Sequence, residues 1–166
     1  MKRPIVLFFV FALVLVLLAG RGSSDGGDAS CADILNYVKD NVSEGFDVVY
    51  SYDDSKYQDN FSFMYGITWD MIADGGIIYT EKGGLADEIS IVRLKDQADV
   101  KIAKDKFTDR LEERKNQFGG YKPEEVYKLD NAMIMVQGNY VALIIGEDPA
   151  SLEVLIRNAI AETVAE

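Results

Sequence analysis

The sequence predicts an α+β domain: an antiparallel sheet of about four strands packed with helices, two strand-strand-helix units preceded by an N-terminal helix. Three observations predict it. Apolar, strand-like runs arrive in pairs, at residues 77–79 with 88–94 and at 132–137 with 140–145. After each pair comes a segment whose apolar residues recur at helical spacing. Strands that arrive in pairs across short connections pair antiparallel and leave the helices to pack on the sheet.

The elements follow in order. Ser30, with Asp33 three residues on, makes a capping-box-like start. Ile34, Leu35, Val38 and Val42 then share one helical face, which ends near Glu44-Gly45. Residues 46–75 show no sustained period. Tyr50-Ser51-Tyr52 and Phe61-Ser62-Phe63-Met64-Tyr65 alternate as strands do, separated by the polar Asp53-Asp54-Ser55. Thr68 opens a short turn through Met71-Ile72, closed by Gly75-Gly76. Ile77-Ile78-Tyr79 reads as a short strand, Gly83-Gly84 as a turn and Glu88 to Leu94 as a second strand. Asp96 caps a long helix over about residues 97–118 with a stripe of Val100, Ala103, Phe107, Leu111 and Phe118, and Gly119-Gly120 stop it. Pro123-Glu124-Glu125 begins a brief helical turn, with proline early and acids at its start. Residues 132–137 and 140–145 flank Gly138-Asn139, a two-residue hairpin signal, and both runs are apolar on both faces, which predicts central strands. Asp148-Pro149 opens the last helix, striped by Leu152, Leu155, Ile156, Ala159, Ile160 and Val164.

Composition narrows the chemistry. The chain has 166 residues, 48% hydrophobic and 27% charged, which suits one globular domain. Its net charge is −11, and Lys2, Arg3 and Arg21 are the only charges before residue 25. A surface this acidic, with no basic stripe, disfavours nucleic acid. There is no histidine and one cysteine, Cys31. Ser-His-Asp and Cys-His nucleophile pairs and a tetrahedral zinc site therefore have no residues to use, and no cofactor or metal is expected.

The N-terminus carries the clearest targeting signal. Lys2 and Arg3 precede an unbroken apolar run from Ile5 to Leu18, then Ala19 and Gly20. This is the layout of a secretory signal over residues 1–24, too short for a comfortable membrane span. Residues 25–30 read as a flexible spacer and 31–166 as a single acidic domain held outside the membrane. Leu17-Leu18-Ala19-Gly20 resembles a lipoprotein signal, but Arg21 stands where the lipid-accepting cysteine belongs. Three fates follow: cleavage after Ser24, retention of the segment as a membrane tether, or Cys31 as a substitute acceptor, which its place ten residues downstream disfavours.

The stretches Tyr65-Gly66-Ile67, Ala86-Asp87-Glu88-Ile89, Leu94-Lys95-Asp96, Tyr121-Lys122-Pro123-Glu124-Glu125, Asn131-Ala132 and Gly138-Asn139-Tyr140-Val141 form an ordered set. Together they resemble a family of small bacterial lipoproteins known as domain of unknown function 4358. The resemblance spans about residues 46–165 and the signal region, departs from the pattern at Arg21, and implies an envelope location without supplying functional residues.

Nine of the 18 aromatic residues lie between Phe46 and Tyr79. Tyr50, Tyr52, Tyr65, Trp69 and Asp70 are the binding candidates there, since aromatic faces beside carboxylates grip sugars and peptides, although such rings more often fill a core. Asp53, Asp54, Asp59 and Asn60 lack the spacing of a calcium loop. No catalytic residue is assigned. The expectation is a non-catalytic envelope module for a protein, peptide or wall glycan, membrane-associated through an uncleaved N-terminal segment or secreted. The alternative is a carboxylate-dependent extracytoplasmic hydrolase, which needs two acids facing each other across a cleft.

Overall fold

The computed structural model describes residues 29–43 and 45–163. The signal segment with Arg21, spacer residues 25–28, Glu44 and Val164 lie outside the described residues. The described chain is α+β, with a five-stranded, wholly antiparallel sheet. In chain order the elements are α1 (Cys31–Asn41), β1 (Val48–Ser51), α2 (Ser55–Tyr65), β2 (Ile72–Tyr79), β3 (Glu88–Leu94), α3 (Val100–Tyr121), α4 (Val126–Asp130), β4 (Met133–Gln137), β5 (Tyr140–Ile145) and α5 (Pro149–Thr163). The strand order is β1-β2-β3-β5-β4.

Alternation along the strands divides the interior into two cores. On one face Ile78, Ile89, Ile91, Ala142 and Ile144 meet Ile34, Leu35 and Val38 of α1 and Leu152, Ile156 and Ile160 of α5. On the other, Ile77, Val92, Val141, Leu143 and Ile145 meet Tyr57 and Phe61 of α2, Phe107 and Leu111 of α3 and Leu129 of α4. Ala29 and Ser30, at the end of the expected spacer, belong to the folded domain. Ala29 is buried, its carbonyl accepts the Tyr140 hydroxyl at 2.7 Å, and Ser30 caps α1 through the Asp33 N–H at 3.2 Å.

The segment that lacked a period holds the main departures. It supplies the fifth strand, β1, paired with β2 from Val48↔Tyr79 to Ser51↔Gly76. Residues 61–65, expected as a strand, are the second half of α2. Asp54 caps that helix by accepting the Lys56 N–H at 2.8 Å, and Gly66 closes it at φ +62°. Tyr57, Phe61 and Tyr65 recur every four residues and are buried, while Phe63 points away and is 90% exposed. The two-residue alternation was a fragment of a helical stripe.

Gly75-Gly76 close no turn. They lie inside β2, which extends back to Ile72 through a bulge between Ile72 and Asp74. A Cβ on Gly75 would stand 2.1 Å from the Tyr57 hydroxyl oxygen, and one on Gly76 would stand 2.7 Å from Cδ1 of Leu35. The two helices thus press against opposite sides of the sheet where side chains are missing. Gly119-Gly120 do not stop α3 either, which continues to Tyr121. The break comes at Lys122, whose backbone the following Pro123 forces out of the helical region. Of the last two strands only β5 is fully buried; β4 is an edge strand with Met135 alone buried.

Candidate functional site

The face of β3 that meets α2 and α3 carries two polar residues in an otherwise apolar surface. Glu88 and Ser90 alternate with Ile89 and Ile91, so they share the side of Val92. Glu88 is 2% exposed. Its Oε1 accepts the Tyr65 hydroxyl at 2.7 Å and its Oε2 accepts from Nη2 of Arg110 at 3.2 Å. Tyr65 also shares a short hydrogen bond with Ser90. Arg114, one turn beyond Arg110 on α3, brings its Nε within 3.6 Å of Glu88 and donates to the Ala86 carbonyl at 3.0 Å. The two guanidiniums also stack, Arg110 over Tyr65 at 5.5 Å and Arg114 over Phe118 at 4.7 Å.

Burial alone would raise the Glu88 pKa. Arg110, Arg114 and the Tyr65 hydroxyl outweigh it, and the carboxyl titrates below the ordinary glutamate range. Burial first, and then Glu88, pushes the Tyr65 phenol well above its ordinary value. The cluster is a locked charge set of one carboxylate and two guanidiniums.

Beside this cluster lies a cavity of about 290 Å³. Tyr50, Ile77 and Tyr79 line it from the sheet, Asn60 and Met64 from α2, and Glu88, Arg110 and Arg114 complete the lining. The Tyr50 and Tyr79 rings stand 6.2 Å apart. Burial and then the hydrogen bond with Tyr50 push the Tyr79 phenol up to about 12, so it is a proton donor at neutral pH. Arg110 and Arg114 each retain a buried Nε without a hydrogen-bond partner. A cavity of this size is at the small end of ligand sites, with apolar walls and a few convergent polar groups.

The structure separates the residues singled out from the sequence. Tyr50 lines the cavity, and Tyr65 anchors the ion cluster beside it. Tyr52 and Trp69 stack on each other at 4.4 Å and 10°, with Tyr57 edge-on to Trp69, as part of the same apolar core. Asp70 is exposed, its backbone carbonyl accepts the Lys95 ammonium at 2.9 Å, and its carboxyl is lowered chiefly by a hydrogen bond from Thr68. The acidic run is divided as well: Asp54 caps α2, Asp59 lies within α2 and Asn60 reaches the cavity. Cys31 is 0% exposed, with its N–H bonded to Asp74 at 2.7 Å and its thiol pushed up by burial and then by Asp74.

Glu88, Arg110, Arg114, Tyr79 and Met64 were not singled out. A signal for them existed. Glu88 and Ser90 are the polar letters in a strand whose other residues to Val92 are Ile or Val, and Arg110 and Arg114 are four apart, one helical turn. The arginines were hidden among the many charges of α3.

A second buried cluster tests for facing acids. Lys128 is 4% exposed and its Nζ lies 2.9 Å from Asp87, 3.1 Å from Glu125 and 3.1 Å from Glu147. Glu125 also accepts the Ala86 N–H at 3.0 Å, and Glu147 accepts the Tyr127 hydroxyl at 2.6 Å. Three acids do converge, but around an ammonium ion. Burial alone would lower the Lys128 pKa; its three acidic partners outweigh this and raise it. Among the described residues no group of three or more acids or cysteines is arranged to hold a metal ion.

Compared with known proteins, residues 49–146 match a family described as a domain of unknown function (DUF4358). No curated protein and no solved structure matches the chain. All eight residues lining the cavity fall inside the matched span, whereas α1 and α5 fall outside it.

Proposed function

The chain belongs to the DUF4358 family, whose description names no activity, and from that premise we propose a non-catalytic binding module of the cell envelope whose ligand site is the α2–α3 cavity. One observation carries the reading. Glu88, the one acid lining the cavity among the described residues, has both oxygens engaged, one by Tyr65 and the other by Arg110. A general acid or nucleophile needs a carboxyl free to exchange its proton, and the lowered pKa and two arginine neighbours hold Glu88 ionised and paired. What the cavity does offer is apolar wall, phenols and guanidinium groups, the equipment of a binding site.

The location rests on the sequence alone. The apolar run after Lys2 and Arg3 has the sequence form of an export signal, and the residues that follow have the Gly- and Ser-rich composition of a spacer. Cys31 is a poor lipid acceptor because its side chain is enclosed, so the reading has the protein either tethered by its uncleaved segment or secreted.

The purified full-length chain, offered a panel of wall peptides and glycans, is expected to bind one class without turnover. Met64→Trp, which fills the cavity, is expected to abolish that binding, and release of cleaved product would overturn the reading. For location, the full-length chain is expected in the membrane or external fraction. Arg21→Cys is expected to take up labelled fatty acid that the original chain does not incorporate. A cytosolic full-length product would sink the envelope assignment.

A further inference from the structure

We infer that the ligand of the α2–α3 cavity carries a single carboxylate on a compact apolar body, and that Arg110 and Arg114 receive the carboxylate. This rests on the cavity being the ligand site, as proposed above.

The first argument is charge. Glu88 contributes one negative charge to the lining and the two arginines contribute two positive ones. Arg110 is 14% and Arg114 15% exposed, so bulk water does little to balance the excess. One anionic charge on the ligand completes the set; a dianion would leave one of its charges unmatched. A cation meets two guanidiniums beside Glu88, whose single charge they already exceed. Arg110 also lines a neighbouring cleft with Glu113, Lys106 and Asp109, the last two paired at 3.4 Å, so Arg114 is the guanidinium with the less acidic company.

The second argument is donor capacity. A guanidinium has more N–H groups than these two arginines use, since Arg110 donates to Glu88 and Arg114 to the Ala86 carbonyl. The Arg110 Nε is buried without a hydrogen-bond partner, and the Arg114 Nε has only its 3.6 Å approach to Glu88. The Nη groups beyond those two bonds are the donors left for a ligand, and a planar, two-oxygen acceptor is the group that a guanidinium fork best satisfies. The Tyr79 hydroxyl, whose pKa is pushed up to about 12, supplies a further neutral donor on the sheet side.

The third argument is size and wall chemistry. About 290 Å³ holds roughly ten waters. Met64, Ile77 and the two tyrosine rings make most of the wall apolar. A small aliphatic or aromatic acid fits this description, either free or as the C-terminal residue of a peptide.

The test uses the full-length chain with N-acetyl-leucine, its carboxamide, inorganic phosphate and a short peptide ending in a free leucine carboxylate. Binding is followed by calorimetry and by NMR of the arginine Nε–H signals. N-acetyl-leucine is expected to bind and to shift the Nε–H signals of Arg110 and Arg114. The carboxamide is expected to bind at least about tenfold more weakly, as loss of a charge-assisted bond requires, and phosphate not to compete. Arg114→Gln is expected to lose about as much affinity as the carboxamide does. Because that change also frees part of Glu88, Met64→Trp serves as the second variant: it keeps every charge and is expected to abolish binding. Binding of the peptide as well as the free acid assigns the source as a peptide terminus; binding of the free acid alone assigns a small metabolite-sized acid. Equal affinity for acid and carboxamide, both lost in Met64→Trp, would overturn the carboxylate while leaving the cavity as a binding site. No response of either arginine to any probe would also overturn the inference, and the panel of wall fragments then judges the cavity separately.

Discussion

Asp87 and Glu88 are neighbours in sequence, yet they nucleate two ion clusters of opposite character, each built on a buried centre. Asp87 joins Glu125 and Glu147 around one lysine, so acids outnumber the cation and each of the three carboxylates contacts the Lys128 ammonium. Glu88 sits with two arginines, so cations outnumber the acid and guanidinium donors remain unused beside a cavity. The first cluster is a lock, tying the start of β3 to α4 and to the end of β5. The second positions charge next to empty space. The comparison teaches that burial of charge is common to both clusters, and that what distinguishes the second is its unused donors next to a cavity.

The largest effect should come from breaking each cluster. Glu88→Gln leaves two guanidiniums short of a counter-charge, and Lys128→Met leaves three acids without one. Each is expected to cost about 3–5 kcal/mol, the usual penalty for removing one partner of a buried pair, read from urea midpoints at neutral pH. Acid should separate the two. As pH falls towards about 4 the acids freed in Lys128→Met take up protons and much of that loss should be recovered. Glu88→Gln has no such route, because arginine does not deprotonate. Equal pH responses would break the comparison.

Next in size are the two glycines at the centre of the sheet. Gly75→Ala drives a methyl towards the hydroxyl of the enclosed, rigid Tyr57 ring and is expected to cost about 1–3 kcal/mol. Gly76→Ala meets the tip of Leu35, a flexible side chain, and is expected to cost less. Thermal denaturation of the two variants would settle the order, and the reverse ranking would mean that α1 is held more rigidly than α2.

Smaller effects appear in the pH limbs of the unaltered protein, where Glu88 weakens its cluster in acid and Lys128 weakens its own in alkali, while Glu125 and Glu147, whose pKa values are also lowered, add an acid limb to the lysine cluster. The Glu88 pKa is lowered in the folded state. Its contribution is therefore complete above the unfolded value of about 4.3 and is lost as pH falls through the folded value. The Lys128 pKa is raised, so its contribution is complete below the unfolded value of about 10.4 and is lost as pH rises through the folded value. Each unit of difference is worth about 1.4 kcal/mol. Stability measured against pH should show a shallower acid slope in Glu88→Gln and a shallower alkaline slope in Lys128→Met, with the other shifted carboxyls and phenols carrying the rest. The smallest effect is expected at Phe63, which is 90% exposed. Phe63→Ser should change stability by less than about 0.5 kcal/mol, and a large loss would mean that this ring is covered.

Much of the fold was legible because long periodic segments speak for themselves. The stripe Ala103, Phe107, Leu111 and Phe118 is buried as its spacing requires, and Gly138 adopts φ +57° between β4 and β5 as a glycine-first hairpin demands. The site was less legible. Phe61-Ser-Phe-Met-Tyr65 satisfies a strand pattern over five letters, and only the four-residue step from Tyr57 shows it to be helical. Arg110 and Arg114 look like any other charges on α3 until β3 places Glu88 beneath them.

The sequence by itself determined the paired strands, the long helices and the removal of histidine- and thiol-based chemistry, because periodicity and composition are local properties. Only the tertiary structure decided which of the many acids are buried, which cations they meet and where space remains between them. The reason is physical: a carboxylate's surroundings are set by residues far away along the chain, and Glu88 meets its arginines 22 and 26 residues later because α3 folds back across β3.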